Sequence, residues 1–295
     1  MSERPSSPRT AWFQPLRRRL PLLISALLIA VVVAYSWFAH ERLQGALEDA
    51  ASDRLTVSAE RLGEILGESA SRLTRDLRVV ATDPAIVRAV GTGAGGGSAG
   101  RDATVALAPS SPSARLVSRA LWSADCRLVA RIGRQPVAPC PSSRDVVSAS
   151  GAGAVGPLGM HEDSIHYSIA VPVAGPGLAT IGFLAETRTI GGGNSSMIEG
   201  LIGENVSLYL GNADGGFWTN LTQRVAAPSI PPSERSPVFA TVDGIPALNA
   251  HARVPGTPWR VVLSMPRHAV AAPARALLWS RGLAAALCLA VGALG

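Results

Sequence analysis

Twenty consecutive residues from Leu20 to Ala39, LPLLISALLIAVVVAYSWFA, carry no charged side chain. As a helix rising about 1.5 Å per residue, such a run crosses the roughly 30 Å hydrocarbon core of a bilayer. The spacing therefore predicts a transmembrane helix over 20–39. A cleaved signal peptide has a shorter apolar region ending in a small-x-small site. This run is longer and its exit, YSWFAHERLQ, offers no such site, so an uncleaved anchor is expected. Residues 1–19 set Arg4, Arg9, Arg17, Arg18 and Arg19 against one acidic residue. Basic residues flanking a first span favour the cytoplasmic side, which puts the tail 1–19 inside and the chain beyond the span outside. Tyr35 and Trp37 suit the aromatic belt at the outer interface.

Much of the net charge of +6 sits in that tail, so the basic balance is a topology signal and nucleic acid is not an expected partner. All 27 residues of the Lys and Arg class are Arg, a compositional bias into which no individual role is read. Cys126 and Cys140 fall on the outer side, where an oxidising compartment would let them bridge a hairpin. Two unlinked thiols are the alternative, because spacing does not fix the geometry that a bridge needs. Cys288 lies in an apolar C-terminal run.

After the span, Leu43, Leu47, Leu55, Leu62, Leu66, Leu73, Leu77 and Val80 recur at multiples of three to four residues with Glu and Arg between them. This reads as a long amphipathic helix, which needs a packing partner because propensity alone does not hold it. At Thr82-Asp83-Pro84 the helix stops and restarts, with Asp83 as cap, Pro84 in the first helical position and Gly91 as the end of a short second helix. The signalling helix and its short successor thus occupy 40–92, and the Gly-rich stretch that follows reads as a flexible loop over 93–118. Strand periodicity then appears. RALWSADCRLVARIG is a hairpin turning near Ala124-Asp125, and DSIHYSIAVPVAGPGLATIGFLAETRTI holds two strands joined at Gly175-Pro176-Gly177. A short helix at SSMIEGLIG precedes further strands in ENVSLYLGNADGGFWTNL, SPVFATVDGIPALNAHARV and TPWRVVLSMPR. Two antiparallel lobes are expected, at 119–190 and 197–268.

A span, a long helix ending in DPAIVRAV, two antiparallel lobes and a closing DGIPALNAHARVPGTPWRVVLSMPRHAVAAPARALL together resemble the extracytoplasmic Cache-type sensors of bacterial receptors. The resemblance covers about 20–295 and implies an α+β fold in which each lobe is PAS-like. It also implies a small-molecule ligand held in one lobe and a second span carrying the signal to a cytoplasmic output such as a histidine kinase. A homodimer is expected because the membrane-proximal amphipathic helix can supply a seam, and no cofactor is expected. The expected location is a bacterial inner membrane with 40–274 extracytoplasmic. The segment 275–295 is read as a second span cut short, since only fourteen residues follow Arg281, against the ~20 that a span needs.

Familiar chemistry is not supported. GAGAVG matches the dinucleotide pattern, but Pro157 follows and no helix opens to face a pyrophosphate, so a loop between strands is expected. His161 and His166 in HEDSIH are five apart, which on one strand sends them to opposite faces, so no metal site is expected. No catalytic serine elbow or kinase motif is present, and no catalytic residue is assigned. An anchored extracytoplasmic hydrolase and an adhesion or scaffold module without ligand remain alternatives. For a ligand pocket with aromatic walls and convergent polar groups, the candidates are Trp122, Asp125, Arg131, His166 and Tyr167 in the first lobe. In the second they are Tyr209, Trp218 and Asp243.

Overall fold

The structure is a computed structural model that describes residues 14–93, 98–109, 115–141, 153–191, 200, 202–203, 205–228, 238–242 and 244–270. Asp243, Cys288, the segment 275–295 and six of the nine residues of the expected helix at SSMIEGLIG lie outside the described residues. Two compact units divide the chain, one of 1–51 with 270–295 and one of 52–269.

Helix α1 runs unbroken through Gln14–Ala81, taking in both the expected helix over 20–39 and the expected Leu43–Val80. In the first unit, Leu27, Val31, Val32, Val33, Tyr35, Trp37 and Phe38 are all more than half exposed. Among the described residues, no helix is long and apolar enough to cross a membrane. Side chains 14–26 and 28–29, which include part of the apolar run, are outside the description.

In the second unit, α1 buries Leu55, Ala59, Leu62, Ala70, Thr74, Leu77 and Ala81. Their spacing, mostly three or four residues, makes one continuous stripe, and this is what holds so long a helix in place. At Ala81 the chain breaks as expected: the Asp83 carboxylate accepts from the Ala85 N–H at 2.7 Å and Pro84 opens α2 (Pro84–Thr92). Gly91 does not end this helix. The left-handed residue at its C-terminus is Gly93, with φ of 62°, a conformation that glycine adopts without penalty. The stretch 93–118 is likewise not a loop throughout. It contains α3 (Ser98–Leu107), whose Ala103 and Leu107 are fully buried, so tertiary burial overrides the local glycine content.

Sheet 1 is built from β1 (Leu116–Ser123), β2 (Leu128–Gly133), β3 (Ala154–Val155), β4 (Gly159–His161), β5 (Ser164–Ala174) and β6 (Thr180–Ile190). Its order is β2-β1-β6-β5-β3, with β4 also pairing with β5, and every pairing is antiparallel. Part of the expected GAGAVG loop is thus the short strand β3. Sheet 2 contains β7 (Ser207–Asn212), β8 (Trp218–Thr219), β9 (Val238–Val242), β10 (Ile245–Arg253) and β11 (Trp259–Pro266), in the order β8-β7-β11-β10-β9. In both sheets the second strand sits at one edge beside the first, the last strand pairs with the first, and the third lies at the far edge. The chain repeats one topology twice with no visible repeat in its sequence.

The main core lies on the helical side of sheet 1. Leu77 and Ala81 of α1, Ile86 and Val90 of α2, and Leu107 of α3 meet Leu121, Ile169, Val171 and Leu184. The bridge Cys126–Cys140, with Cα atoms 5.4 Å apart, ties the β1–β2 turn to the segment after β2.

Lower down, α1 passes against the β10–β11 turn of sheet 2. A Cβ on Gly63 would lie 2.8 Å from the Arg253 carbonyl oxygen, and one on Gly67 would lie 2.8 Å from that of Pro255. Mid-helix glycine costs about 1 kcal/mol relative to alanine, so these positions are retained for close approach. Gly67→Ala is expected to be destabilising by about 1–2 kcal/mol, because the obstructing atoms are backbone and the overpacking exceeds the propensity gain. Chemical denaturation of Gly67→Ala beside Gly45→Ala checks this, since Gly45 has nothing within 4 Å and should show no such loss.

Candidate ligand-binding surfaces

The pleat divides the candidates of sheet 1 between its faces. Strand register places Ser118, Ala120 and Trp122 of β1 opposite Thr187, Ala185 and Phe183 of β6, and Ser168 and Ala170 of β5 continue the rows. Because successive side chains alternate, these residues share the outer face, away from the helices, together with Arg131 and His166. Tyr167 projects to the opposite, helical face. The expected convergence of Trp122 and Tyr167 therefore does not occur: Trp122 on β1 stands in the outer-face row with Phe183, whereas Tyr167 on β5 stands opposite Arg188 in a row of the other face. Asp125 sits in the exposed β1–β2 turn.

The outer face is buried and partly polar. Phe183, Ala185, Ala170 and Ala138 form a small cluster with Trp122 against it. Ser118 is buried and donates to the Pro136 carbonyl at 2.8 Å. Three buried polar atoms on this face, Trp122 Nε1, His166 Nδ1 and Thr187 Oγ1, have no hydrogen-bond partner among the described residues. Such orphans are rare and call for a partner such as water or ligand.

His161 and His166 are not divided by one strand's pleat. A tight turn at Glu162 and Asp163, both with positive φ, folds β4 onto β5 and brings the rings to 6.2 Å, edge to face. His166 Nε2 lies 3.3 Å from the His161 carbonyl oxygen. Among the described residues, no group of three or more His, Cys, Asp or Glu is placed to hold a metal. Burial lowers the His166 pKa from 6.5, with the nearby His161 adding to this and the hydrogen bond to its backbone opposing it. Burial also lowers that of His251, reinforced by Arg260. An unfolded chain takes up these protons near pH 6.5 and the folded one only at lower pH. Their contribution to stability is complete above about pH 6.5 and is lost as pH falls through the folded values. Urea midpoints at pH 7.5 and 5.5 should therefore differ less in His166→Phe than in the parent protein.

On the helical side, a cleft of about 690 Å³ opens between α1, the lower edge of sheet 1 and sheet 2. Tyr167, Arg115, Leu66, Leu221 and Trp259 are among its walls. Tyr209 borders it, but the Tyr209 ring packs with Trp218 and Val262 in the cluster on the far face of sheet 2. Trp218 lies over Gly211, where a Cβ would sit 2.3 Å from the indole, so this ring is structural. Behind Tyr167 is a charged layer. Arg119 Nε donates to Glu186 Oε2 at 2.7 Å, Arg188 pairs with the other carboxylate oxygen, and Arg119 Nη1 donates to the Leu107 carbonyl at 2.9 Å. Burial raises the Tyr167 pKa against the opposing pull of Arg188 and Arg115, so the phenol stays protonated at neutral pH.

Sheet 2 is joined to sheet 1 beside this cleft. Asn212 accepts from the Leu158 N–H at 2.8 Å and donates to its carbonyl at 3.0 Å. Trp259 Nε1 donates to the Gly156 carbonyl at 3.0 Å, and its ring meets Tyr167 edge to face at 5.0 Å. Sequence reasoning missed Thr187, Arg115, Glu186 and Trp259 as site residues. Trp259 falls in the closing stretch TPWRVVLSMPR, and the available signal for Glu186 is a charged residue inside the apolar strand TIGFLAETRTI.

No protein-family model matches this sequence, and no curated protein does. Among solved structures, the ligand-binding domain of the Pseudomonas fluorescens chemoreceptor CtaA in complex with L-leucine is similar, with 14% identity and a TM-score of 0.50 over 78% of this chain and 99% of that one. The ligand-binding domain of the Pseudomonas aeruginosa PAO1 amino acid chemoreceptor PctC in complex with GABA matches at 14% identity and a TM-score of 0.47, over 74% and 99% of the two chains. The likeness to the first is one of fold: one long helix carrying two antiparallel sheets.

Proposed function

We propose that this chain is a membrane-anchored, extracytoplasmic sensor module that seats a small organic molecule on the outer face of sheet 1 and signals across the membrane. The observation that carries the reading is the set of buried polar atoms on that face without a partner among the described residues, Thr187 Oγ1 and His166 Nδ1 first, with Trp122 Nε1 farther along the sheet. The Thr187 hydroxyl and the His166 imidazole nitrogen, on neighbouring strands and two positions apart along the sheet in an otherwise apolar setting, orient a small polar ligand. The chemoreceptor fold supports a sensing role, and a ligand of amino-acid size fits the scale of one lobe. The exposed apolar side chains between Leu27 and Phe38 support an anchor, since a belt of this kind is stable against lipid and not against water. The Cys126–Cys140 bridge supports an oxidising location. Signalling then runs to a cytoplasmic output through a homodimer. A histidine kinase is an output that the family resemblance implies, and a chemoreceptor output is equally compatible with the fold.

Two measurements test this. Protease added to spheroplasts should digest 40–274, and protection of that region would overturn the orientation. Calorimetric titration of the full chain in nanodiscs with the standard L-amino acids should find a binder whose affinity falls about tenfold in Thr187→Val, the loss of one hydrogen bond to a charged ligand group. An unchanged affinity in Thr187→Val would remove the outer face as the seat.

A further inference from the structure

The cleft on the helical side has a different chemistry from the outer face. At its upper wall Arg115 lines the cleft beside Tyr167, and behind the Tyr167 ring, near Arg188, the guanidinium groups of Arg119 and Arg188 share the single carboxylate of Glu186. That wall therefore carries net positive charge, and no acidic residue is among the described residues lining the cleft. Arg119 and Arg188 are both held by Glu186, with side chains only 12% and 13% exposed. Arg115 lies outside that ion-paired layer and is exposed, at the mouth. Tyr167 supplies a neutral hydroxyl at neutral pH. The opposite wall is apolar, formed by Leu62 and Leu66 of α1 and by Leu208 and Leu221 near sheet 2. The volume, about 690 Å³, falls within the range of small-molecule sites.

We propose that this cleft is a second ligand site, for an amphipathic carboxylate whose anionic end meets Arg115 and the Tyr167 hydroxyl while its apolar body lies against Leu66 of α1. A charge-assisted contact to guanidinium supplies specificity, and burial of the apolar body supplies the driving force. Because α1 is one wall of the cleft, occupancy acts on the helix directly, without passing through sheet 1.

The test uses the full chain in nanodiscs, with empty nanodiscs as the blank, titrated calorimetrically with 3-phenylpropionate and its uncharged analogue 3-phenylpropanamide. The expected result is tighter binding of the carboxylate, a loss of about tenfold in Arg115→Met, as for one charge-assisted hydrogen bond, and no change for the amide in that variant. Leu66→Trp, which fills the cleft, should weaken both probes, and Thr187→Val should alter neither. No binding of the carboxylate, equal affinity of the two probes, or insensitivity to Arg115→Met would each overturn the proposal. Loss of carboxylate binding in Thr187→Val would assign the probe to the outer face and overturn it too. The two sites fail separately, since the outer-face reading rests on amino-acid binding and on Thr187.

Discussion

Glu186→Gln is expected to lower the unfolding free energy by about 3–5 kcal/mol, the range for removing one partner of a buried ion pair. Glu186 is 3% exposed and is the only carboxylate paired with both Arg119 and Arg188 among the described residues. The amide keeps the shape but cannot neutralise two guanidinium groups that the fold has removed from water. The effect reaches α3, because Arg119 also donates to the carbonyl of Leu107, the last residue of that helix. For a unit of this size, each 1 kcal/mol moves Tm by about 2–4 °C, so a fall on the order of 10 °C should be seen by circular dichroism. Arg119→Met added to Glu186→Gln should recover part of the loss, since it removes one of the stranded charges. A double variant no more stable than Glu186→Gln would show that the cost lies in lost packing and not in uncompensated charge.

The same residue shows what the sequence could and could not tell. Alternation and turn chemistry placed the hairpins at Ala124-Asp125 and Gly175-Pro176-Gly177, and Asp83-Pro84 placed the helix break, because these are local properties of the backbone. Strand order is not local. Nothing between Leu116 and Ile190 announces that β6 lies between β1 and β5, and it is this order that sets Arg119 beside Glu186, 67 residues apart in sequence. The candidate list joined Trp122 to Tyr167 for the same reason: strands were identified without their register, so the face of each side chain was unknown. His161 and His166 were separated by applying one strand's alternation across what is a turn between two. The glycines before Ser98 suggested a loop because composition does not reveal that Ala103 and Leu107 have a core to enter. Short spacing and an oxidising side of the membrane suggested that Cys126 and Cys140 could pair, but nothing local pointed to the outer-face residues Trp122, His166 and Thr187, which depend on pairing across three strands.

Trp259→Ala is expected to cost about 3–5 kcal/mol, as for truncation of a buried large aromatic, and to separate the behaviour of the two sheets. Trp259 is 4% exposed, stands at the start of β11, and touches sheet 1 in two ways, through Nε1 to the Gly156 carbonyl and through its ring to Tyr167. Its removal leaves the Asn212–Leu158 hydrogen bonds as the remaining polar link described between the sheets, and these do not fill the volume of an indole. Sheet 1 keeps its own core with α2 and α3, so it should unfold at a higher temperature than sheet 2, and one transition should become two. Trp259→Phe retains a ring against Tyr167 and loses the donor to Gly156, which should cost about 1 kcal/mol and preserve a single transition. Hydrogen exchange resolves the difference at Leu158, whose amide is held by Asn212: its protection should fall toward that of sheet 2 in Trp259→Ala and stay near the parent value in Trp259→Phe. A single cooperative melt for Trp259→Ala would mean that α1, which packs against both sheets, couples them without the tryptophan.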